Sequence, residues 1–287
     1  MSSVNPFVIM WREVRNDRLA LVGLALFIII VTTIYIWALF IDPTVLTAIN
    51  FQYRHQPPSL QFWLGTDIGG RPIFETLILS ARNSFNIAFL ITFFATGIGV
   101  MVGLLTGFYA GHLDNVVMRI IDFVGMIPFI MLIIVFVSLV PNYGVITFSA
   151  IFIAFGWMGT ARLIRSKALQ QGKLEYVAAS KTLGTRNIVI IFREVLPNLV
   201  SIITSTLTIA LAANMGIETG LTFLGFGLPH GTPSLGRLVA HASNPHNMQH
   251  RMWLWLPAAL LIVVMMLCIN FVGQALNRAA DARKRKV

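Results

Sequence analysis

The stretch NIAFLITFFATGIGVMVGLLTGFYA, residues 86–110, decides the class of fold because it contains no charged residue and no histidine. A bilayer core is about 30 Å thick, and about 20 apolar residues in a helix are needed to cross it. This stretch is long enough to do so. Five further apolar segments reach or approach that length: residues 19–41, 120–140, 145–161, 198–226 and 253–276. The sequence therefore predicts an all-α, polytopic membrane protein with six transmembrane helices.

The composition also indicates a membrane protein. Of the 287 residues, 56% are hydrophobic and 11% are charged, whereas soluble domains carry roughly 25% charged residues. The net charge of +10 comes from basic residues that lie between the apolar segments. That pattern is typical of membrane topology rather than of nucleic-acid binding, so we expect no nucleic-acid partner. The single cysteine, Cys268, lies inside an apolar segment and excludes an intrachain disulfide.

The distribution of lysine and arginine predicts the orientation, because cytoplasmic loops are enriched in these residues. With the N-terminus inside, 16 of the 21 fall in cytoplasmic segments, and seven of those lie between Arg162 and Arg193. The first apolar segment is longer than the about 7–15 residues of a secretory signal, so we interpret it as a retained transmembrane helix. The sequence thus predicts a multi-pass protein of the cell membrane with both termini in the cytoplasm.

The predicted membrane segments carry few ionisable groups. The first, second, fourth and sixth segments have none in their interiors, although ion-coupled carriers usually need them at membrane depth. Glu218 lies towards the outer end of the fifth segment and has two interpretations. It is either a gate or pathway residue that faces the interior of the bundle, or a residue at the water boundary or paired with an arginine. Four glycines predict that this outer end bends or breaks: Gly216, Gly220, Gly225 and Gly227.

Motifs for energy conversion and catalysis are missing from the sequence. It has no G-x-x-x-x-G-K-[ST] loop to hold nucleotide phosphates, so a transporter of this kind must draw its energy from another subunit. It also has no G-x-S-x-G and no H-E-x-x-H. We therefore expect a non-catalytic chain that binds no cofactor itself.

Four of the six histidines fall in the predicted outer loop before the sixth segment: His230, His241, His246 and His250. His246 and His250 are four residues apart, which would place two imidazoles on one helical face, as metal ligands need. No third ligand is evident at short range. These two residues are the candidates for metal binding, and an exposed polar loop without metal is the alternative.

The predicted cytoplasmic loop EYVAASKTLGTRNIVIIFREVLPN, residues 175–198, is polar but has helical character. The stretch 175–183 is rich in helix formers, and its apolar spacing puts residues 174, 177, 178 and 181 on one face. Gly184 can supply the left-handed conformation that ends this helix. A second short helix over 188–195 leads to Pro197 in the first turn of the fifth segment.

Small side chains give this loop a candidate contact surface. Ala178, Ala179 and Ser180 form a narrow ridge among basic residues. Such a ridge either docks into a groove on a partner protein or lies on anionic lipid. The residues alone leave these two alternatives open.

The loop resembles the cytoplasmic loop of ABC importer permeases, whose signature is E-A-A, three residues, G, nine residues and I-x-L-P. The residues that carry the resemblance, and that it implies contact an ATPase subunit, are Glu175, Tyr176, Ala178, Ala179, Ser180, Gly184, Leu196 and Pro197. Two positions depart from the signature: Ser180 replaces the second alanine, and Glu194 stands where isoleucine is usual.

Three further segments are similar, in the same order, to motifs of dipeptide and oligopeptide permeases. They are LGTDIGGRPIFETLILSARNSF (64–85), GHLDNVVMRIIDFVGMIP (111–128) and LTFLGFGLPHGTPSLGRL (221–238). Pro72 and Leu235 depart from those motifs, where aspartate and tryptophan are usual. The resemblance covers nearly the whole chain.

This resemblance implies a type I ABC importer permease fold. Residues 1–84 would form the N-terminal cytoplasmic segment, the first transmembrane helix and an extracytoplasmic loop. Residues 85–287 would form a five-helix core with a coupling loop at about 162–197. The chain would pair with a second homologous permease as a heterodimer, and the two would form the pathway for dipeptides or oligopeptides.

The resemblance also implies the other partners. Two cytoplasmic ATPase subunits would bind ATP and Mg, and an extracytoplasmic binding protein would deliver the substrate. Permeases of nickel or metal-chelate importers share these motifs and are the alternative within the family. A stand-alone secondary carrier and a membrane enzyme are the alternatives outside it.

Overall fold

The computed structural model describes residues 11–12, 14–42, 44, 49–229 and 231–284, with side chains as far as residue 278. The described chain is built from α-helices joined by turns, short 3-10 helices and longer loops, and an isolated antiparallel bridge joins Thr66 to Pro72. In chain order the helices are α1 (Arg18–Phe40), α2 (Ile73–Tyr109), α3 (Gly111–Gly125), α4 (Phe129–Leu139), α5 (Val145–Gln171), α6 (Glu175–Thr182), α7 (Asn187–Ile190), α8 (Leu196–Phe223), α9 (Leu235–Val239), α10 (Pro245–His250) and α11 (Leu256–Lys284).

Five helical segments of the described chain are long and apolar enough to cross a membrane: α1, α2, α5, α8 with the turns before it, and α11. The pair α3–α4 makes a sixth if the two helices count as one span. This confirms the predicted all-α membrane fold. Two spans are longer than predicted, because α2 begins at Ile73 and α5 continues to Gln171. One continuous helix, α2, therefore crosses the expected boundary between residues 84 and 85, and the division into domains stays a prediction.

The third predicted span, residues 120–140, is not a single straight helix. α3 and α4 are bent by 82° at the break between them. Pro128 precedes α4, and a proline has no N–H to donate and disfavours helical backbone in the residue before it. The residues next to the break, 123–127 and 129–137, are all apolar, so the bend comes from the proline rather than from a polar interruption.

The end of the fifth predicted segment breaks, but only beyond Gly220, because α8 runs through Gly216 and Gly220 without a bend assigned there. α8 ends at Phe223, inside the predicted range. Gly225 follows with φ +87°, a left-handed conformation that glycine adopts without strain. The chain after α8 is therefore free to fold back on the bundle.

The central helix pair is α2 and α5, which approach closely along a row of glycines. Gly99, Gly103 and Gly107 lie four residues apart on the face of α2 that contacts α5. A Cβ atom added to Gly103 would lie 2.6 Å from the carbonyl oxygen of Ala161. Small residues at this spacing let helix backbones approach each other inside a membrane.

The two ends of the bundle differ. At one end, residues 172–195 form a helical loop, hereafter the 172–195 loop, that packs on the last turns of α2 and α5. At the other end, residues 49–72 and 231–255 contact each other and form what we call the cap. Within the cap the indole nitrogen of Trp253 donates to the carbonyl oxygen of Thr66 at 3.4 Å.

Candidate functional site: the 172–195 loop

The 172–195 loop contains a helix–turn–helix, as predicted. α6 runs from Glu175 to Thr182, and Gly184 follows with φ +77°. The N–H of Gly184 donates to the carbonyl of Lys181, and the N–H of Thr185 donates to that of Ser180, each at 3.0 Å. These two bonds form a Schellman motif, which satisfies the carbonyls at a helix C-terminus. Gly184 therefore ends α6 and sets the direction in which the chain leaves it.

The second helix differs from the prediction, which placed a separate short helix before the fifth span. α7 continues through a π-helical turn, Ile191–Val195, directly into α8. The N–H of Leu196 donates to the carbonyl of Ile191, five residues back. A proline ring in a helix clashes with the carbonyl four residues before it, and the wider turn ahead of Pro197 relieves such a clash. The loop and α8 are thus one continuous helical element.

The inward face of α6 is fixed to the bundle by packing and by hydrogen bonds. Val177 has no exposed surface and lies in an apolar cluster with Phe108 of α2 and Ala168 of α5. The hydroxyl of Tyr176 donates to Oε1 of Gln171 at 2.8 Å and accepts from Nδ2 of Asn198 at 3.4 Å. Burial raises the pKa of the Tyr176 hydroxyl, which stays protonated. α6 therefore contacts three membrane helices at once.

Ser180 also faces inward, which divides the predicted ridge. Its hydroxyl donates to Oε1 of Glu194 in the π-turn at 2.7 Å. Ala178 and Ala179 remain exposed, so the accessible ridge consists of these two residues and not of all three. The four residues expected on one apolar face also separate: Val177 is buried, whereas Leu174, Ala178 and Lys181 are exposed. The reason is that the inward face is completed by Tyr176, one position before Val177, and by Ser180, three positions after it.

The outward face of α6 is small, apolar at its centre and accessible. It comprises Glu175, Ala178, Ala179, Thr182 and Leu183. Leu183 is 84% exposed at the C-terminal cap. Next to this face the ammonium of Lys181 lies over the ring of Phe108, 4.8 Å from its centroid. A surface of this kind, with an exposed leucine beside two alanines, is suited to fill a groove on another protein.

The two loop residues nearest to α8 have different surroundings. Leu196 is half-buried and packs against the apolar cluster under α6. Pro197 is exposed in the first turn of α8. Leu196 therefore ties the loop to the bundle, whereas Pro197 affects the loop through the π-helical turn that precedes it.

Two ion pairs that the sequence did not reveal join α3 to α5, the helix that leads into the loop. Arg165 pairs with Asp114 through two hydrogen bonds, from Nε and from a terminal nitrogen. Arg162 pairs with Asp122 at 2.8 Å, with both side chains more than half exposed. The signal available in the sequence was the two aspartates of α3, Asp114 and Asp122, together with the two arginines of α5, Arg162 and Arg165. They lie 40 and 51 positions apart in the chain, so only the fold brings them together.

A cavity of about 370 Å³ lies beside the bend between α3 and α4. Pro128 and Gly156 line it together with two polar side chains, Arg162 and Asn214. Asn214 donates to the hydroxyl of Thr92 at 2.8 Å, which fixes α8 to α2 at this level. The cavity thus adjoins three of the membrane helices and one arginine of the ion pairs.

Glu218 lies near the cap end of α8 and is completely buried. Its Oε1 accepts from the hydroxyl of Thr222 at 3.0 Å, and that hydroxyl oxygen in turn accepts from the N–H of Leu228 at 3.2 Å. Among the described residues no ion pair joins Glu218 to an arginine. In this conformation the carboxyl group therefore lies neither at the water boundary nor in a charge pair, and its role in the pathway stays a prediction.

The histidines of the cap do not assemble a metal centre within the described chain. His246 and His250 lie on one turn of α10, as predicted, with ring centroids 5.0 Å apart. Within residues 49–229 and 231–278, no group of three or more His, Cys, Asp or Glu side chains could hold a metal ion. His230 lies outside the described residues. Metal binding by His246 and His250 stays untested.

Comparison with known proteins gives a consistent result. Residues 99–286 match the family model described as "Binding-protein-dependent transport system inner membrane component". The chain is 41% identical to the oligopeptide transport system permease protein OppC of Lactococcus lactis subsp. cremoris over 95% of its own length and 93% of that protein. It is 31% identical to OppC of Bacillus subtilis and 30% identical to the dipeptide transport system permease protein DppC of the same organism, over 96% of its length in both cases.

Proposed function

This chain belongs to the family of binding-protein-dependent transport system inner membrane components, and from that premise we propose that it is the permease subunit of an ATP-driven importer of oligopeptides or dipeptides. The observation that carries the proposal is the 172–195 loop. It presents an exposed apolar face on α6 and is joined without interruption to a membrane helix. The relatives named for oligopeptide and dipeptide transport favour peptides over the nickel-chelate alternative.

The proposed arrangement in the membrane places the 172–195 loop in the cytoplasm. The bias of lysine and arginine towards this loop and towards both termini supports that orientation. The cap then faces the extracytoplasmic side, where a binding protein delivers the substrate. A second, homologous permease completes the pathway as a heterodimer, and two ATPase subunits bind ATP and Mg, so this chain holds no nucleotide or metal.

The proposed mechanism is mechanical coupling, with α6 as the coupling helix. When ATP closes the two ATPases on each other, the groove that holds Ala178, Ala179 and Leu183 moves. Val177 and Tyr176 tie α6 to α2, α5 and α8, so those helices move with it. The ion pairs of Arg162 and Arg165 pass the movement of α5 to α3 and to the bend at Pro128. The bundle can thereby change the side on which its pathway is open.

The substitution Gly184→Val tests the assignment of the coupling loop. A β-branched residue cannot adopt the left-handed conformation of Gly184 without strain. We expect the variant to insert into the membrane and to lose peptide uptake by about tenfold or more, as is typical when a special backbone position is destroyed. Uptake of labelled peptide into vesicles that contain the whole importer measures the effect.

Gly97→Val is the matched control, because a Cβ at Gly97 meets no atom within 4 Å. Normal uptake by the Gly184 variant would contradict the coupling assignment. Uptake by the purified chain alone along an ion gradient would contradict the importer itself and favour a secondary carrier. Co-purification with ATPase subunits gives a further check that does not depend on transport.

A further inference from the structure

The two residues at which the loop departs from the permease signature contact each other. Ser180 takes the place of an alanine and Glu194 the place of an isoleucine, and the Ser180 hydroxyl donates to Oε1 of Glu194 at 2.7 Å. We infer that Ser180 and Glu194 act as one unit, a pair of positioning residues that fixes the angle between α6 and the base of α8. The inference rests on the proposed function in that α6 is taken as the coupling helix.

The position of Ser180 on α6 gives this contact its importance. Tyr176 and Val177 hold the first half of the helix, whereas Ser180 lies one turn further on, close to the exposed Leu183. A short helix that is held at one end can tilt about that end. The bond to Glu194 provides a second point of attachment, so the docking face keeps one orientation relative to α8.

Glu194 depends on Ser180 in return. The second carboxylate oxygen of Glu194, Oε2, is buried and has no hydrogen-bond partner in the described structure. The backbone carbonyl of the same residue accepts from Nδ2 of Asn198 at 2.9 Å, which fixes the π-turn around it. Removal of the serine hydroxyl would take away the donor to Oε1, so that neither carboxylate oxygen would have a hydrogen-bond partner in the described structure. An unsatisfied buried group of this kind is costly, whereas two apolar residues of matching shape at both positions can be nearly neutral.

The pair therefore predicts a specific pattern in a double-mutant cycle. The quantity to measure is the coupling ratio of the reconstituted importer, that is, the number of peptide molecules transported per ATP hydrolysed. Ser180→Ala is expected to lower this ratio about tenfold, since a partly buried carboxylate loses its donor. Glu194→Ile is expected to lower it less, because the serine hydroxyl can turn to its own helix backbone. The double variant Ser180→Ala/Glu194→Ile, which has the residues of the family signature, is expected to return close to the ratio of the unchanged chain.

Two further variants separate positioning from general damage. Thr204→Ala removes a hydroxyl from α8, away from the docking face, and in the described structure that hydroxyl donates to the carbonyl of Val200 one turn before at 2.9 Å. We expect no change in the ratio. Glu194→Gln keeps an acceptor oxygen for Ser180 and is expected to retain most of the coupling of the unchanged chain. Co-purification with the ATPases should be equal for all variants. A double variant that is as impaired as the sum of the two single variants would overturn the inference.

Hydrogen exchange distinguishes failure of this inference from failure of the proposed function. In the assembled complex, exchange of the amides of residues 180–185 should rise about tenfold in Ser180→Ala and fall back in the double variant. If the unchanged complex showed no peptide-stimulated ATP hydrolysis, the proposed function would fail while the exchange result still tested the pair. Unaltered exchange in Ser180→Ala, with coupling intact, would reject the pair and leave the importer assignment in place.

Discussion

The two ion pairs that join α3 to α5 stabilise the fold to an extent that depends on how far their side chains are buried. The Asp114 side chain is 6% exposed and that of Arg165 is 30% exposed, whereas Asp122 and Arg162 are 69% and 55% exposed. Asp114→Asn should therefore lower the free energy of unfolding by about 2–3 kcal/mol, because it leaves a partly buried guanidinium without its carboxylate. Asp122→Asn should cost about 0–1 kcal/mol, as for other exposed pairs. Thermal unfolding of the two variants in the same detergent provides the comparison, and equal losses would refute this ranking.

These ion pairs are an example of residue contacts that could not be predicted from the sequence. The hydropathy of the segments and the position of Gly184 follow from composition and local geometry, so both could be predicted. The partners of Asp114 and of Ser180 depend on which faces of distant helices meet. Ser180 was expected on an exposed ridge and instead faces inward, since its side chain has a buried acceptor in Glu194. No local pattern carries that information.

At the scale of helices, the glycine row on α2 determines how closely α5 can approach. Gly103→Leu should separate the two backbones, since even a Cβ at this position would lie 2.6 Å from a carbonyl oxygen. We expect a loss of about 2–4 kcal/mol of stability, within the range for overpacked or displaced core positions. Gly97→Leu, on the same helix with open space around it, should be tolerated. Thermal unfolding of the two variants tests this, and equal stability would show that the close packing is not needed.

The helices also show which elements could be predicted. Long apolar segments defined the five single-helix spans to within a few residues at one end or more, because hydropathy measures what a bilayer requires. The 82° bend between α3 and α4 was missed, since the residues that directly flank Pro128, 123–127 and 129–137, are all apolar and give no sign of a break. The continuity of α7 with α8 was missed because Pro197 was expected in the first turn of a new helix. Instead, the π-turn Ile191–Val195 accommodates this proline within one continuous helical element.

For the molecule as a whole, the cap and the 172–195 loop should respond differently to acid. Burial lowers the pKa of His55 and of His241 below the ordinary value of 6.5, and for His55 the charges of Arg251 and Arg54 act in the same direction, opposed by Asp67. A histidine with a lowered pKa binds fewer protons when folded than when unfolded. The stability that it contributes is therefore fully present above about pH 6.5 and is lost as the pH falls below that value.

Acidification from about pH 7.5 to about pH 5 should thus loosen the cap. Hydrogen exchange of residues 49–72, corrected for the intrinsic effect of pH, should increase. The 172–195 loop contains no histidine and serves as an internal control that should change little. Replacement of both histidines by glutamine should remove the difference between the two regions. An equal response of cap and loop would mean that these histidines do not govern the acid sensitivity.

The exposed leucine at the end of α6 also has a consequence for how the importer is made. In the proposed orientation, a copy of this chain that has reached the membrane without an ATPase displays Leu183, Ala178 and Ala179 to the cytosol. Exposed apolar surface of this kind promotes non-specific association and is recognised by cellular chaperones and proteases. Synthesis of the subunits in matched amounts would keep this surface covered, so orphan copies should be degraded faster than assembled ones. The residues that we propose to contact the ATPase would then also signal whether the importer is fully assembled.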